Sequence, residues 1–556
     1  MLNLHLDYLQ ETTDDQGRVV DFRFRMPDRF NFAYDVIDRI AGATPDRRAM
    51  RWCNEAGETR TFTFGDMSRE SDHAASFFRS LGIGKGDMVM LILKRHYQFW
   101  FAVLGLHKIG AVAIPATNQL QVKDILYRFA SADVKAVVCT AEGEVSDHVD
   151  EAAEQYGKLT ARIIVKGSKP GWIPFDERLA SQPAFVRPSR DEMPGMTDPM
   201  LLYFTSGTTG MPKMVVHDHL YPLGHIPTAK YWHKVDPDGL HLTVSETGWA
   251  KSMWGKLYGQ WMMEAGIDVF DFDRFSPHVM LEHIVEAGVT TFCAPPTIYR
   301  FLIKEDLTKY DLSRLQHCTI AGEALNPEVY GQFLRATGLE LKEGYGQTEM
   351  TLAVVTNYWM ATKPGSMGKP SPAYDILLQD EDGQPVRPGQ TGEICIRIDD
   401  RKIPGLFGGY HKDPGLTRSV WYDGVYHTGD QAWMDEDGYF WFVGRADDII
   451  KSSGYRIGPF EVESVIMEHP AVLECAVTGA PDPDRGQVVK ATVVLAKGYE
   501  PCEALMAELQ DYVKSHTAPY KYPRILEFVP ELPKTISGKI RRMEIRQADK
   551  DVRSDP

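Results

Sequence analysis

The chain has 556 residues and a formal charge of −16, too long for one ordinary core, so two to four domains are expected. The acidic balance argues against general nucleic-acid binding but leaves room for anionic substrates held by local basic groups, and no run of 18 or more apolar residues is present to cross a membrane. Seven widely spaced cysteines without a Cys-x-x-Cys pair argue against a disulfide framework or a structural zinc site, and most are expected to be buried small hydrophobes. The segment from Met1 to Asp15 has neither a basic start nor an apolar stretch; it reads as neither a secretory signal nor a transit peptide, and the cytoplasm is the expected compartment.

In chain order, Val89–Leu93 reads as a buried strand, Tyr97–Ile109 as an apolar helix, Ala111–Pro115 as a strand and Lys123–Ala130 as a helix. Strands are predicted again at Ala136–Cys139, Ile163–Val165, Ile267–Phe270 and Thr290–Cys293. This βαβ rhythm predicts an α/β architecture of mainly parallel sheets covered by helices. From about residue 374 short strands (Asp375–Gln379, Gly392–Ile398) alternate with Asp382-Gly383 and Pro388-Gly389 turns, the texture of a β-rich subdomain running to 445. Residues 1–445 are thus expected to form a large N-terminal domain. Residues 446–556 are expected to form a small α+β domain, with a helix at Glu461–His469, strands at Val472–Thr478 and Val488–Ala496, and a helix at Pro501–Ser515. No internal repeat or low-complexity tract is found.

The chemistry concentrates in short motifs. Thr205, Ser206, Thr208 and Thr209 place four hydroxyls in one loop, Gly207 and Gly210 let its backbone approach a ligand, and Lys213 adds an ammonium beyond Pro212; together they make a polyphosphate site. The lysine spacing differs from a Walker A loop, which removes the main support for motor or GTPase chemistry. Gly322-Glu323-Ala324 follows a strand-like run and reads as a ligand-facing loop or as a simple helix start. In Tyr345-Gly346-Gln347-Thr348-Glu349 the ring can cover a purine, while Thr348 and Glu349 can reach phosphate and Mg²⁺, which needs only one or two carboxylates. Asp430, in His427-Thr428-Gly429-Asp430, suits two ribose hydroxyls, and Arg445 stands beside Asp447 and Asp448. Two basic segments follow, Lys451–Arg456 and Pro533–Arg542, with Lys539 after Ser537-Gly538. His217-Asp218-His219 is better explained as a loop near the phosphate motif than as a metal site.

These motifs, in this order and over about residues 30 to 545, resemble the adenylate-forming superfamily of acyl-CoA synthetases, nonribosomal adenylation domains and luciferases. The run Lys451-Ser-Ser-Gly-Tyr-Arg-Ile-Gly-Pro-Phe-Glu-Val-Glu463 is most similar to the medium-chain acyl-CoA synthetases. The resemblance implies that Thr205 to Lys213 bind the ATP phosphates and that Gly322, Glu323, Ala324 and Tyr345, with Gly346 and Gln347 beside it, form the adenine pocket. Thr348 would touch the α-phosphate, Glu349 the Mg²⁺, Asp430 and Arg445 the ribose, and Arg456 a phosphate. Lys539 would bridge carboxylate and α-phosphate, Asp447 would be the hinge of a mobile C-terminal domain, and Ser453, Gly454, Tyr455 and Arg485 would meet coenzyme A.

What the resemblance implies for activity is a carboxylate attacking Mg·ATP to give acyl-AMP and pyrophosphate, followed by transfer to the CoA thiol. Loading of a separate carrier protein, luciferase-like oxygenation and a non-catalytic nucleotide sensor are the rival readings; oligomeric state is left open. Trp249 sits where the family's acyl pocket often has a tryptophan, which would favour medium-chain, branched or aromatic acids. Met253, Leu257 and Trp261, at helical spacing behind it, are expected to be core.

Overall fold

The apolar runs become the central strands of two mainly parallel sheets in the computed structural model, which describes residues 1–189, 192–205, 211–323, 325–398, 402–453, 455–535 and 539–554. The first sheet has the order Lys213–Asp218, Pro199–Thr205, Val112–Pro115, Met88–Ile92, Val134–Thr140, Ala161–Val165, Ile173–Pro174. All its neighbours are parallel except the edge hairpin of Pro199–Thr205 with Lys213–Asp218. The second sheet has six parallel strands in the order Leu341–Gln347, His317–Ala321, Thr291–Ala294, Leu240–Thr243, Gly266–Asp271, Arg48–Asn54, with antiparallel strands at both edges. A hairpin of Leu9–Thr13 with Val19–Phe24 precedes them.

Helix Gln98–Ile109 is buried on every face, as its apolar run requires. One core takes in its side chains, Val89 and Leu91 of the first sheet, and Met50, Ile267 and Val269 of the second. The helix ends at Gly110, whose left-handed φ of 73° suits a glycine cap. It crosses helix Phe64–Ser80 at closest approach through Gly105.

The β-rich texture after residue 374 resolves into an antiparallel sheet of Ile376–Gln379, Thr391–Arg397, Val425–Met434 and Trp421–Tyr422, with Phe440–Arg445 on Val425–Met434. A last sheet follows the turn at 446–449, made of Tyr455–Ile457, Ile450–Ser452, Gly486–Leu495 and Val472–Asp482, with Ile525–Phe528 joined in parallel. Helices Pro459–Glu468 and Glu503–His516 pack on this sheet around their own core. The whole is the α/β architecture that the sequence calls for. Six cysteines are buried and Cys502 is exposed.

A Cβ on Gly105 would stand 2.6 Å from the Ala74 Cβ and 2.9 Å from the backbone of Ala74 and Ala75. Backbone cannot rotate aside, so Gly105→Ala should lower stability by about 1–3 kcal/mol, the usual range for overpacking. A urea midpoint equal to the parent's would show that the two helices part without cost.

Candidate functional site

The expected phosphate loop connects the two strands of the edge hairpin, with Thr205 paired to Lys213 across its base. Ser206, Gly207, Thr208, Thr209 and Gly210 lie outside the described residues. The Tyr127 hydroxyl fixes the far side of the loop by donating to the Pro212 carbonyl at 3.0 Å. The Lys213 ammonium lies 5.4 Å from the centre of the Tyr410 ring, and the Tyr410 hydroxyl donates to Glu349 Oε1 at 3.0 Å. A cation and a carboxylate thus meet at the loop's base. Burial raises the Glu349 pKa, against the hydrogen bond from Tyr410 and the nearby charges of Lys213 and Arg445.

Thr348 and Glu349 form the turn between strands Leu341–Gln347 and Met350–Val355 of the second sheet. That turn is tied to the first sheet by His217, whose Nε2 donates to the Thr348 carbonyl at 2.7 Å. A carbonyl only accepts, so the imidazole carries its proton on Nε2, and burial holds its pKa down at about 4. His217 and Asp218 end a strand rather than forming a loop, which corrects the sequence reading; His217 is a strut between sheets.

Asp430 and Arg445 are opposite each other across antiparallel strands. Arg445 Nη1 donates to Asp430 Oδ1 at 3.3 Å, while the Tyr345 hydroxyl and Gln347 Nε2 each donate to Oδ2 at 2.6 Å. Gln347 is held in turn by the Tyr426 hydroxyl at 2.7 Å. Burial works against the Arg445 charge, but Asp430 and Asp447 outweigh it and raise the pKa above the usual guanidinium value. Burial, then the Asp430 carboxylate, drive the Tyr345 hydroxyl well above its usual range. Gly346 is expected beside the adenine pocket; a Cβ there would lie 2.8 Å from both the Trp254 ring and the Thr351 carbonyl, so packing alone already demands glycine.

Gly322 follows strand His317–Ala321 with φ 112°, a left-handed backbone that favours glycine. Glu323 beside it is exposed and Ala324 lies outside the described residues. The Lys251 ammonium donates to the Ala321 carbonyl at 2.8 Å. Its pKa is lowered, first by burial and also by the positive charge of Lys539, against Cys293 and Glu323. The exposed Lys539 therefore lies within electrostatic reach of the Ala321 to Glu323 segment. Its loop closes through the Thr535 N–H donating to the Lys539 carbonyl at 2.7 Å. Behind it Arg542 grips Glu463 with two contacts of 2.7 Å, and Arg546 pairs with Asp448.

Other expected site residues stand elsewhere. Arg456 is exposed and paired with Glu381, in the turn after strand Ile376–Gln379, rather than with the Asp430 cluster. Ser453 has a left-handed φ of 50° and its N–H donates to the Arg485 carbonyl at 3.0 Å. Tyr455 stacks on Tyr520 with ring centres 4.0 Å apart, so Ser453, Tyr455 and Arg485 share one exposed end of the last sheet; Gly454 lies outside the described residues. Asp447 is exposed in the turn at 446–449, 3.8 Å from Arg445. Trp249 is half-buried and caps helix Ala250–Lys256. The helix breaks at Leu257 (φ −152°, ψ −85°) and resumes at Tyr258, so the stripe at helical spacing spans two helices; Met253, Leu257 and Trp261 are nonetheless core, as expected.

Sequence reasoning passed over Glu343. It is buried, its Oε1 accepts the Leu325 N–H at 3.4 Å, and Oε2 has no partner among the described residues. It thus ties the segment after Ala324 to the strand that carries Tyr345; only its place two residues before Tyr345 signals a role. Burial pushes its pKa from 4.5 up to about 8. Between those values the folded chain keeps a proton that the unfolded chain has released, so this group costs stability increasingly as pH rises. Glu343→Gln should stabilise little near pH 5 and progressively more toward pH 8. Melting curves showing the same shift at both ends would overturn the assignment.

Comparison with known proteins fits this geometry. Residues 37–411 match the family of AMP-binding enzymes and residues 461–539 the AMP-binding enzyme C-terminal domain. The chain is 41% identical over 563 residues to mouse acyl-coenzyme A synthetase ACSM3, mitochondrial, covering 98% of this chain and 96% of the relative. Its fold matches the anthranilate CoA ligase AuaEII solved with anthranoyl-AMP (TM-score 0.86, 28% identity, 95% and 99% of the two chains). It also matches a benzoate CoA ligase from Burkholderia xenovorans (TM-score 0.81, 27% identity, 93% and 100%). The mitochondrial designation of ACSM3 and of its relative ACSM4 overturns the expectation of a cytoplasmic compartment. The chain belongs to the adenylate-forming superfamily and, within it, to the medium-chain (ACSM) acyl-CoA synthetases.

Proposed function

We propose that this acyl-CoA synthetase activates a medium-chain, branched or aromatic carboxylic acid, and that the residues gathered above divide the work. What supports the reading is the convergence of the Thr205–Lys213 hairpin end, the Thr348–Glu349 turn and the Asp430–Arg445 pair beside the carboxyl ends of the parallel strands. Full-length likeness to CoA synthetases favours CoA over a carrier protein as acceptor.

In the first step a carboxylate oxygen of the acid attacks the α-phosphorus of ATP and the bond to pyrophosphate breaks. The Thr205 to Gly210 hydroxyls and amides and Lys213 hold the phosphates, Thr348 meets the α-phosphate, and Asp430 exchanges part of its present bonding for the ribose hydroxyls. Glu349 fits Mg²⁺ as the single carboxylate that a phosphate-bound ion asks for, and burial makes its charge welcome a neighbouring cation. Bound there, Mg²⁺ would neutralise phosphate charge. In the second step the CoA thiolate attacks the acyl carbonyl and AMP leaves. No protein nucleophile takes part, so the chain supplies position and charge.

Lys539 and the Ser453 to Tyr455 hairpin sit on one C-terminal body, residues 446–556. A turn of that body about Asp447 would withdraw the lysine and bring Ser453, Gly454, Tyr455 and Arg485 to the acyl-adenylate; Arg456 would then give up Glu381 for a phosphate.

Negative charge spreads over the phosphate oxygens as the first transition state forms, and Lys539 meets it. Lys539→Ala should therefore slow adenylation about 10²–10³-fold, while thioester formation from supplied acyl-AMP stays near the parent rate. Equal losses in both half-reactions would sink the rotating-domain scheme.

Each buried methylene is worth about 0.8 kcal/mol, roughly fourfold in kcat/KM while room remains. Acetate should be a poor substrate, and efficiency should climb and then fall where the chain meets Trp249. Trp249→Gly should shift the optimum to longer or bulkier acids with unchanged ATP affinity. A substrate panel with acetate best, or an optimum that stays put in the variant, would remove the indole as the limit.

A further inference from the structure

Beside Asp430 on strand Val425–Met434, three side chains of different chemistry face one another. Glu393 and Cys395 are two apart on strand Thr391–Arg397 and so share a face, and Cys395 is directly opposite His427 in the antiparallel ladder. Cys395 Sγ is 3.6 Å from His427 Nδ1, and Nδ1 is 3.1 Å from Glu393 Oε2. The three donor atoms all lie within 4.8 Å of one another. Tyr422 stacks on the imidazole with centres 3.7 Å apart and planes 7° from parallel, which holds the ring in this orientation.

We propose that Glu393, Cys395 and His427 form a transition-metal site, with Zn²⁺ as the fitting ion and solvent in the fourth position. Zinc bonds of about 2.3 Å to sulfur and about 2.0–2.1 Å to nitrogen or oxygen, arranged as a tetrahedron, separate sulfur from nitrogen by about 3.5 Å and nitrogen from oxygen by about 3.3 Å. The sulfur–nitrogen and nitrogen–oxygen pairs, at 3.6 and 3.1 Å, stand close to those values before any ion enters. Thiolate, imidazole and carboxylate together suit zinc and not magnesium. The other Glu393 oxygen, Oε1, accepts the Gly429 N–H at 2.8 Å, so Oε2 can turn to a metal without releasing that strand contact. On ligation the Cys395 sulfur–hydrogen bond breaks, a sulfur–zinc bond forms and the proton leaves to solvent. The imidazole proton moves to Nε2, which has no partner among the described residues, a cost that keeps affinity below that of closed cysteine–histidine sites. The ion would pin strands Thr391–Arg397 and Val425–Met434 together under Asp430; its link to nucleotide binding rests on the function proposed above, whereas the site itself does not.

The test uses the full chain, stripped of metal by chelation, with Zn²⁺ followed by calorimetry and Co²⁺ by absorption. We expect about one Zn²⁺ per chain, a raised melting temperature, and a thiolate-to-cobalt charge-transfer band. Cys395→Ser should abolish the band and weaken zinc binding at least tenfold, the upper reach of losing even an indirect partner being about 100-fold. Glu393→Gln, a second and milder variant, should weaken binding while keeping the band, and Cys502→Ser should change neither. An unaltered circular dichroism spectrum certifies each variant's fold. No zinc bound, binding indifferent to Cys395→Ser and Glu393→Gln, or a band that vanishes with Cys502 would each overturn the site, and none of them bears on ATP binding measured without zinc.

Discussion

The hydrogen bond from His217 to the Thr348 carbonyl is the contact on which the rest of the site depends. It joins the edge hairpin of one sheet to an edge turn of the other. The Lys213 ammonium, the Thr348–Glu349 turn and the Asp430–Arg445 pair belong to these two bodies or to the β-rich sheet leaning on them. Because the imidazole is buried and its pKa is held down at about 4, the ring stays neutral and the bond is insensitive to physiological pH. Gly408, whose N–H donates to the Val216 carbonyl at 2.8 Å, and Phe407, whose N–H donates to the Glu349 carbonyl at 2.8 Å, stitch a third segment across the same seam. Strand order alone would leave two adjacent sheets; these few bonds hold their edges in one register.

Around that seam charges are placed in opposition rather than isolation. Asp430 has three donors on two oxygens, and one of them, Arg445, also faces Asp447. An ion pair half-shielded from water costs desolvation and returns it only when its remaining valences are met, and Tyr345 and Gln347 meet them. The two strands are thus held across Asp430 by side chains as well as by their backbone ladder.

Much of this was legible in the chain because the parallel strands are short continuous apolar runs and the motifs sit at strand ends, where period and punctuation agree. Met88–Ile92, Gln98–Ile109 and Ala161–Val165 fall where patterning places them. Illegible were features decided by distant partners. Leu257 interrupts a helix whose spacing is unbroken in sequence, and Gly255, whose Cβ would lie 2.0 Å from the Thr243 hydroxyl, shows how tightly that helix is pressed on its sheet. His217 reads as a loop residue until its strand partner is known. Glu343 looks like a surface charge in a polar stretch, yet the fold buries it and turns the Leu325 N–H toward it. Arg456 was assigned by its motif, yet in the fold it pairs with Glu381, a partner far from it in sequence.

The pairing of Arg48–Asn54 with Gly266–Asp271 has a consequence for the chain's birth on the ribosome. Arg51 and its ion-pair partner Asp268 are 217 residues apart. At about 5–20 residues per second, the early strand waits roughly 10 to 40 seconds for its neighbour to be made. During that time the sheet built from residues 88 to 218 can close, but Met50 and Trp52, wholly buried in the finished protein, have only the Thr59–Thr63 hairpin partner beside them. An apolar strand with one open edge is a template for another chain. The edge of Arg48–Asn54 therefore stays open until Gly266–Asp271 is made, and slower synthesis lengthens that exposure while a chaperone that covers the first sixty residues would shorten it.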